Sequence, residues 1–325
     1  MNVLVVGGAG YIGSHMVKLL LERGHAVTTL DDFSTGYRDA IVGGDVVEAD
    51  LGDAGAVGAA IAKARPHAVM HFASFIQVGE SVQQPAKYYL NNVAKTLVLL
   101  DQVAKAGVRR FVFSSTAAIF GEPEYVPIDE RHRALPINPY GRTKLMVEQA
   151  LADFDRAHGL RSVCLRYFNA AGADPEGAIG ERHEPETHLI PLVLMAATGR
   201  RPSISVFGTD YDTPDGTCIR DYIHVVDLSE AHLAAIDWMD AHDRSGAFNL
   251  GNGQGFSVHE VIATAEKVCG RPIPVVHAPR RAGDPARLVA DATLARRELG
   301  WTPRFAALQT IVDHAWRWER KVAGL

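Results

Sequence analysis

Apolar residues in this chain fall into two patterns. Short β-branched blocks, such as Asn-Val-Leu-Val-Val at residues 2 to 6, alternate with longer segments whose apolar residues recur at helical spacing. A block that short suits a strand buried on both faces and not a helix. Similar blocks recur at Ala26 to Leu30, Asp45 to Ala49, Ala68 to Phe72, Arg110 to Ser114 and Ser162 to Tyr167. Helical patterns lie between them: Met16, Val17, Leu19, Leu20 and Leu21 precede Gly24, and others run over 53 to 64, 87 to 106 and 139 to 157. Strict alternation of this kind predicts βαβ units, and so an α/β fold with a doubly wound parallel sheet covered by helices on both faces.

Beyond about residue 170 the alternation gives way to glycine- and proline-rich connections, at Ala173 to Gly180 and Gly208 to Gly216. We therefore expect a nucleotide-binding domain over 1–170 and a smaller C-terminal α/β substrate lobe over 171–325, with part of 217–245 packing back on the first. Three amphipathic segments, Asp227 to Ala241, Val258 to Val268 and Leu308 to Arg320, read as packing helices.

The first strand runs into Gly7-Gly8-Ala9-Gly10-Tyr11-Ile12-Gly13 and then a helix, the context a dinucleotide fingerprint of the Rossmann type requires. Gly7 permits the tight turn, Gly10 lets backbone approach a pyrophosphate, and Gly13 lets the helix pack on the strand. Asp31 ends the second strand, 18 residues past Gly13. A carboxylate there accepts a ribose 2′-hydroxyl and repels a 2′-phosphate, so NAD is expected over NADP. Asp50, Phe72-Ala73-Ser74 and Ser114-Ser115-Thr116 follow the third, fourth and fifth strands, where such sheets bind ligands.

Tyr140 and Lys144 are four residues apart on a predicted helix, with Asn138 as N-cap and Pro139 at its first position. A cation beside a phenol favours the phenolate, so the pair reads as an acid/base in which Lys144 lowers the tyrosine pKa. An isolated Tyr-x-x-x-Lys is far more often a surface pair than a catalytic one; the glycine loop gives this one a nicotinamide to work beside.

Composition narrows the partners. The 325 residues carry a net charge of -5 without basic clusters, which gives no support for nucleic-acid binding. Cys164, Cys218 and Cys269 are widely separated, so neither a disulfide framework nor a zinc site is indicated. No apolar run approaches the roughly 18 residues of a membrane span, and the chain opens on its first strand without a signal peptide pattern, so a cytoplasmic enzyme is expected. His71 and His224 sit in apolar runs and read as core histidines, and no histidine and carboxylate spacing reads as a metal set.

Taken together, Gly7-x-x-Gly10-x-x-Gly13, Ser115-Thr116, Tyr140-x-x-x-Lys144 and Tyr167-Phe168-Asn169 resemble the extended short-chain dehydrogenase/reductases over essentially the whole chain. Val78-Gly79-Glu80-Ser81, the segment Asp215 to Val225, and Arg280-Arg281-Ala282-Gly283-Asp284 narrow the likeness to the UDP-glucose 4-epimerase family. The resemblance implies an NAD-dependent isomerase that interconverts UDP-glucose and UDP-galactose through a 4-keto sugar. It assigns catalysis to Tyr140, Lys144 and Thr116. Cofactor contacts fall on Gly7, Gly10, Tyr11, Ile12, Gly13, Asp31, Asp32, Asp50, Leu51, Phe72, Ala73, Ser74, Asn91, Ser114 and Tyr167, besides Tyr140 and Lys144. Substrate contacts fall on Phe168, Asn169, His188, Leu189, Ser205, Phe207, Arg220, Arg281 and Asp284, besides Thr116 and Tyr140.

The bland readings stand beside these: Arg220-Asp221 as a local ion pair, Leu189 and Phe207 as core, and Asp221 as structural. Departures from the family pattern are Ile76 for a lysine, His188 for an asparagine, Asp32 for an asparagine and Ala118 for a threonine. Leu288 stands where the family sets the size of the sugar pocket, so pentose, uronic acid and N-acetylhexosamine substrates stay open. A 4,6-dehydratase would need an acidic residue after Thr116, where Ala117-Ala118 stand; a nucleotide sensor would need no Tyr140, Lys144 and Thr116 set. The resemblance also implies a homodimer through helices 87–106 and 139–157, although Leu90, Val93, Leu97 and Leu100 are equally suited to the chain's own core.

Overall fold

The computed structural model describes residues 1–281 and 284–325; Ala282 and Gly283, inside one of the family motifs, lie outside the described residues. Its main sheet has seven parallel strands: β1 (Asn2–Val6), β2 (Ala26–Asp31), β3 (Asp45–Glu48), β4 (Ala68–His71), β5 (Arg110–Thr116), β6 (Arg161–Tyr167) and the late strand Gly246–Leu250. They lie in the order Gly246–Leu250, β6, β5, β4, β1, β2, β3. The order reverses between β1 and β4, the point at which an open α/β sheet leaves a crevice beyond its carboxyl ends.

Alternation along β1 explains why the sheet is covered on both sides. Val3 and Val5 face one core with Met16, Val17 and Leu20 of α1 (Tyr11–Glu22) and with Leu228 and Ile236 of the helix Val225–His242. Leu4 and Val6 face the other, with Val57 and Ile61 of α2 (Ala54–Ala64), Leu99 and Leu100, and Val147 and Leu151. The helix Val225–His242 and the strand after it thus return to the main sheet from the C-terminal half of the chain. Strand positions 2 to 6 and the helix start at Pro139 agree with the expectation; the seventh strand was not anticipated, because it sits at a sheet edge far along the chain.

The predicted helix over 87 to 106 is interrupted. A turn at Pro85–Tyr88 widens into π-type turns over Tyr89–Lys95 before regular helix resumes at Thr96–Lys105.

The C-terminal lobe holds a small sheet around the strand Ile219–His224, paired in parallel with Asn169–Ala171 and Arg287–Leu288 and antiparallel with Gly255–Ser257. A two-stranded pair, Ile204–Phe207 with Val275–Ala278, lies beside it. The helices Leu189–Thr198, Val258–Cys269 and Leu308–Ala323 enclose a separate core around Val193, Val261, Ile311 and Trp316.

Candidate active site

The glycine loop is shaped by contacts that only glycine allows. Gly7 has φ +82, and a Cβ there would stand 2.5 Å from the Ala73 nitrogen; a Cβ on Gly13 would meet the Gly7 carbonyl oxygen at 2.1 Å. Gly10 differs, since its nearest neighbour would be an ordinary 3.5 Å away. Packing therefore does not demand a glycine at position 10, and close approach of a ligand is the remaining reason for one. The first bond of α1 runs from the Ser14 N–H to the Gly10 carbonyl at 2.9 Å. The N–H groups of Tyr11, Ile12 and Gly13 precede that ladder and suit a pyrophosphate. Tyr11 offers only its backbone here, because its hydroxyl donates to the Gly172 carbonyl at 2.7 Å.

Asp31 is fixed beside this loop. Its carboxylate accepts the Ala9 and Phe33 N–H groups, each at 2.9 Å. Burial pushes the carboxyl up while those two N–H groups oppose the shift. Asp32 turns to Ser34, accepting its N–H at 2.9 Å. Asp50 pairs with Lys95 at 2.5 Å at the surface, and Leu51 beside it is buried. Phe72 packs on His232, with ring centroids 4.9 Å apart. A dinucleotide fits the groove: a bare glycine, free helical N–H groups and an oriented carboxylate lie in the order in which pyrophosphate and ribose need them.

Ala73 touches Gly7, and the next residue, Ser74, accepts a hydrogen bond from Lys144 Nζ at 2.9 Å. This short chain of contacts brings the Tyr140 helix, Pro139–His158, to the glycine loop. Asn138 caps that helix, accepting the Gly141 N–H at 2.8 Å. Lys144 Nζ also donates to the Ser114 carbonyl at 2.8 Å and lies 4.8 Å from the centre of the Phe113 ring. Burial lowers its pKa to about 7, with Glu148 opposing. Tyr140 is raised to about 12 by burial, opposed by a hydrogen bond with Thr116. The tyrosine shift thus runs against the expectation from sequence. Desolvation of the buried phenol outweighs the hydrogen bond from Thr116 that would stabilise its anion.

Thr116 closes β5, buried, and accepts the Ala118 N–H at 3.1 Å to start the short turn Ala117–Ile119. Ser114 shares a hydrogen bond with the Tyr167 hydroxyl, so both are tied to the β5–β6 seam. Asn91 is half-buried and donates to the Asn92 side chain at 3.1 Å.

The expected substrate residues gather in a cavity of about 270 Å³ that includes Asn169, His188, Leu189, Ser205, Phe207, Arg220, Arg281 and Asp284. Arg220 pairs with Asp284, not with Asp221. Arg281 lies over the Phe207 ring at 3.9 Å. Asn169 donates to the Asp221 carbonyl at 2.8 Å. Phe168 lies apart from these, packed with Ile119, Phe120, Ile128 and Leu288 next to the Thr116 turn. Asp221 accepts three backbone N–H groups, from Asn252, Gly253 and Ala290, and burial raises its pKa to about 6. Its role is to clamp those segments. His71 bonds the Thr96 hydroxyl at 2.9 Å and His224 meets His314 at 3.0 Å, as core histidines do.

Several supporting residues escape the sequence reading. Gly141 is obligatory, because a Cβ there would stand 2.4 Å from the Ala118 carbonyl oxygen. Buried Asn92 holds Phe75 by both its N–H and carbonyl, at 2.9 and 3.0 Å, and so sets the loop that carries Ser74. Glu148 binds Ser115 at 2.5 Å and Arg166 at 2.6 Å beneath Lys144. An asparagine inside a helical pattern and a glycine within the Tyr-x-x-x-Lys motif are the signals that point to the first two; nothing local marks the third. The sequence reading also finds no metal spacing, yet Glu181, His183, Glu186 and His188 fold into one cluster with ligand atoms within 4.8 Å of one another.

Comparison with known proteins matches residues 3–251 to the NAD dependent epimerase/dehydratase family. A UDP-glucose 4-epimerase of Rhizobium leguminosarum bv. trifolii is 52% identical over 320 residues, covering 98% of each chain. The crystal structure of UDP-glucose 4-epimerase from Brucella ovis in complex with NAD superimposes with a TM-score of 0.95 at 50% identity, covering 97% of each chain. That of the Bifidobacterium longum enzyme in complex with NAD+ and UDP gives 0.95 at 39% identity over 100% of each. With its fold, glycine loop and near full-length relatives all in agreement, this chain belongs to the NAD dependent epimerase/dehydratase family, among its UDP-glucose 4-epimerases.

Proposed function

We propose that this chain interconverts UDP-glucose and UDP-galactose, with Tyr140 as the acid/base on the sugar 4-hydroxyl and the cavity lined by Asn169, Arg220 and Arg281 as the seat of the UDP moiety. The observation that carries this reading is the contact chain from Gly7 through Ala73 and Ser74 to Lys144, which sets the tyrosine helix beside the dinucleotide groove. The glycine loop and Asp31 would hold NAD, which when bound would supply a hydride acceptor and donor at C4 with no net redox change. Tyr140 takes the 4-hydroxyl proton and later gives it back. Burial raises its phenol to about 12, so forming the phenolate calls for a further positive charge, which oxidised NAD would supply when bound. Thr116 hydrogen-bonds the same sugar oxygen and passes the proton. Lys144, which donates to Ser74 here, would be free to turn to a ribose hydroxyl of the bound cofactor. Arg220 and Arg281 offer forked donors to the diphosphate, with Asp284 holding Arg220 in place until it binds.

Two coarser features complete the proposal. The helical segments over 78–105 and 139–158 leave Val82, Leu90, Leu97 and Met146 exposed, at 60%, 64%, 40% and 43%, while Leu100 is buried. An apolar surface of this kind supports a homodimer through these helices. Three unpaired thiols, Cys164, Cys218 and Cys269, suit a reducing cytoplasm, and no helix among the described residues is long and apolar enough to cross a membrane.

The test is to incubate purified protein separately with UDP-galactose, UDP-N-acetylgalactosamine, UDP-xylose and UDP-glucuronate and resolve the epimers. Conversion of UDP-galactose is expected. Turnover of a different sugar alone would move the assignment to that sugar, and no turnover of any would overturn it.

A further inference from the structure

The loop that leads into the helix Leu189–Thr198 brings together Glu181, His183, Glu186 and His188, a set with no part in the proposed hydride and proton steps, although Glu181 and His188 line the substrate cavity. Two imidazoles and two carboxylates are the donor types of a four-coordinate site for a borderline divalent cation. Their arrangement is close to such a site already. His183 Nδ1 lies 3.3 Å from an oxygen of Glu181 and 3.3 Å from one of Glu186, and His188 Nδ1 lies 3.6 Å from the other Glu186 oxygen. Ligands about 2.0 to 2.1 Å from a tetrahedral zinc ion stand about 3.3 Å from one another. Only His188 and Glu181 are closer than this, as a direct hydrogen-bonded pair. The two rings are nearly perpendicular, at 76°, with both Nδ1 atoms turned inward to the same carboxylates.

The two carboxylates pair only with the two imidazoles and have no other charged side-chain partner among the described residues. The Glu181 and Glu186 side chains are each only 6% exposed. Buried carboxylates call for a compensating charge. Among the described residues no lysine or arginine pairs with either; Arg182, between the ligands in sequence, turns away to Asp39 and lies over the Tyr37 ring at 3.5 Å. The loop is anchored independently of the four side chains, since the Trp318 indole N–H donates to the Glu181 carbonyl at 2.9 Å. Backbone N–H groups of Thr187 and His188 fix Glu186 at 2.7 and 2.9 Å, as groups behind a ligand commonly do.

We propose that Glu181, His183, Glu186 and His188 form a binding site for a zinc-class divalent cation that bridges the glycine-loop side of the fold to the substrate cavity. His183 faces the Tyr11 ring edge-on at 6.2 Å, and His188 lines the cavity, so the ion sits between the two. Occupancy pins the segment 181–188 and with it the position of His188. The inference goes beyond the epimerase reading and is tested without turnover.

Full-length protein stripped with a chelator is dialysed against zinc, and bound metal is counted by mass spectrometry; cobalt loading in parallel reports geometry through its visible absorption. One zinc per chain and an intense four-coordinate cobalt spectrum are expected. His183→Ala and the near-isosteric Glu186→Gln should each weaken zinc binding at least 10-fold and remove the cobalt bands, with circular dichroism confirming that both remain folded. Thermal melting of the parent protein should rise with zinc and that of His183→Ala should not. No zinc uptake, or uptake equal in parent and both variants, overturns the site.

Discussion

Lys144 Nζ donates to the hydroxyl of Ser74 at 2.9 Å, which joins the tyrosine helix to the loop after β4. The same ammonium is tied to the Ser114 carbonyl at 2.8 Å, so its position is set by two strands before any ligand enters. Fixing a polar group in this way lowers the reorganisation required in the reactive complex. The lysine therefore does more than accompany Tyr140 along one helical face.

Tyr140→Phe removes the proton carrier and little else, because the side chain is buried and its ring packing is retained. We expect turnover to fall by about 100- to 10,000-fold, the ordinary range for a positioned acid/base. Bound NAD, counted after denaturing the purified protein, should match the parent. Parallel loss of NAD would mean that the hydroxyl holds the cofactor and does not transfer the proton.

Gly141→Ala tests the approach of the helix to Thr116. The added methyl meets the Ala118 carbonyl oxygen at 2.4 Å, a backbone atom that cannot swing aside. Overpacking of this kind costs about 1 to 3 kcal/mol, so a lower melting temperature and a reduced kcat are expected together. An unchanged kcat in the variant would show that the Ala118 turn adjusts without disturbing Thr116.

Arg281 and Arg220 should divide binding from chemistry. Arg281→Ala removes a forked cation from the cavity wall and should raise KM for the UDP-sugar roughly 10- to 100-fold, the effect of one charged hydrogen bond, with NAD content unaltered. Arg220→Lys keeps the charge but loses the fork, and a similar though smaller rise is expected. Steady-state kinetics with UDP-galactose separates the two parameters; a change confined to kcat would count against diphosphate binding.

Acid should destabilise the fold through its buried histidines. Burial lowers His71 and His224 to about 3 and His232 to about 4, below the usual 6.5. Between that value and the lowered ones, the unfolded chain binds protons that the native protein refuses. Their contribution is full above about pH 6.5 and is lost as pH falls, by about 1.4 kcal/mol per pH unit for each proton. Asp221 has the opposite sign, because its carboxyl is raised to about 6 and the native state binds the extra proton there. Urea unfolding at pH 7, 6 and 5 should give a falling stability, and His71→Gln should flatten that slope by up to one proton. A slope unchanged in the variant would show that His71 titrates alike in both states.

How much of the site the residues reveal depends on how local each contact is. Gly7, Gly10, Gly13 and Asp31 lie within one strand–helix–strand unit, and Tyr140 with Lys144 within one turn of helix, so spacing alone places them. Gly141 against Ala118, Asn92 against Phe75, and Glu148 against Arg166 join segments from different elements, and no periodicity records such partners. The four residues of the Glu181–His188 cluster lie in a loop without regular period, where spacing does not dictate which side chains converge.

The amino-acid sequence by itself determined the alternating α/β plan, the dinucleotide loop and the tyrosine–lysine pair, because short-range sterics and side-chain periodicity govern all three. Only the tertiary structure decided the burial of the pair, the partner of Arg220 and the meeting of two glutamates with two histidines. Long-range packing sets those, and it depends on which distant segments come to lie together.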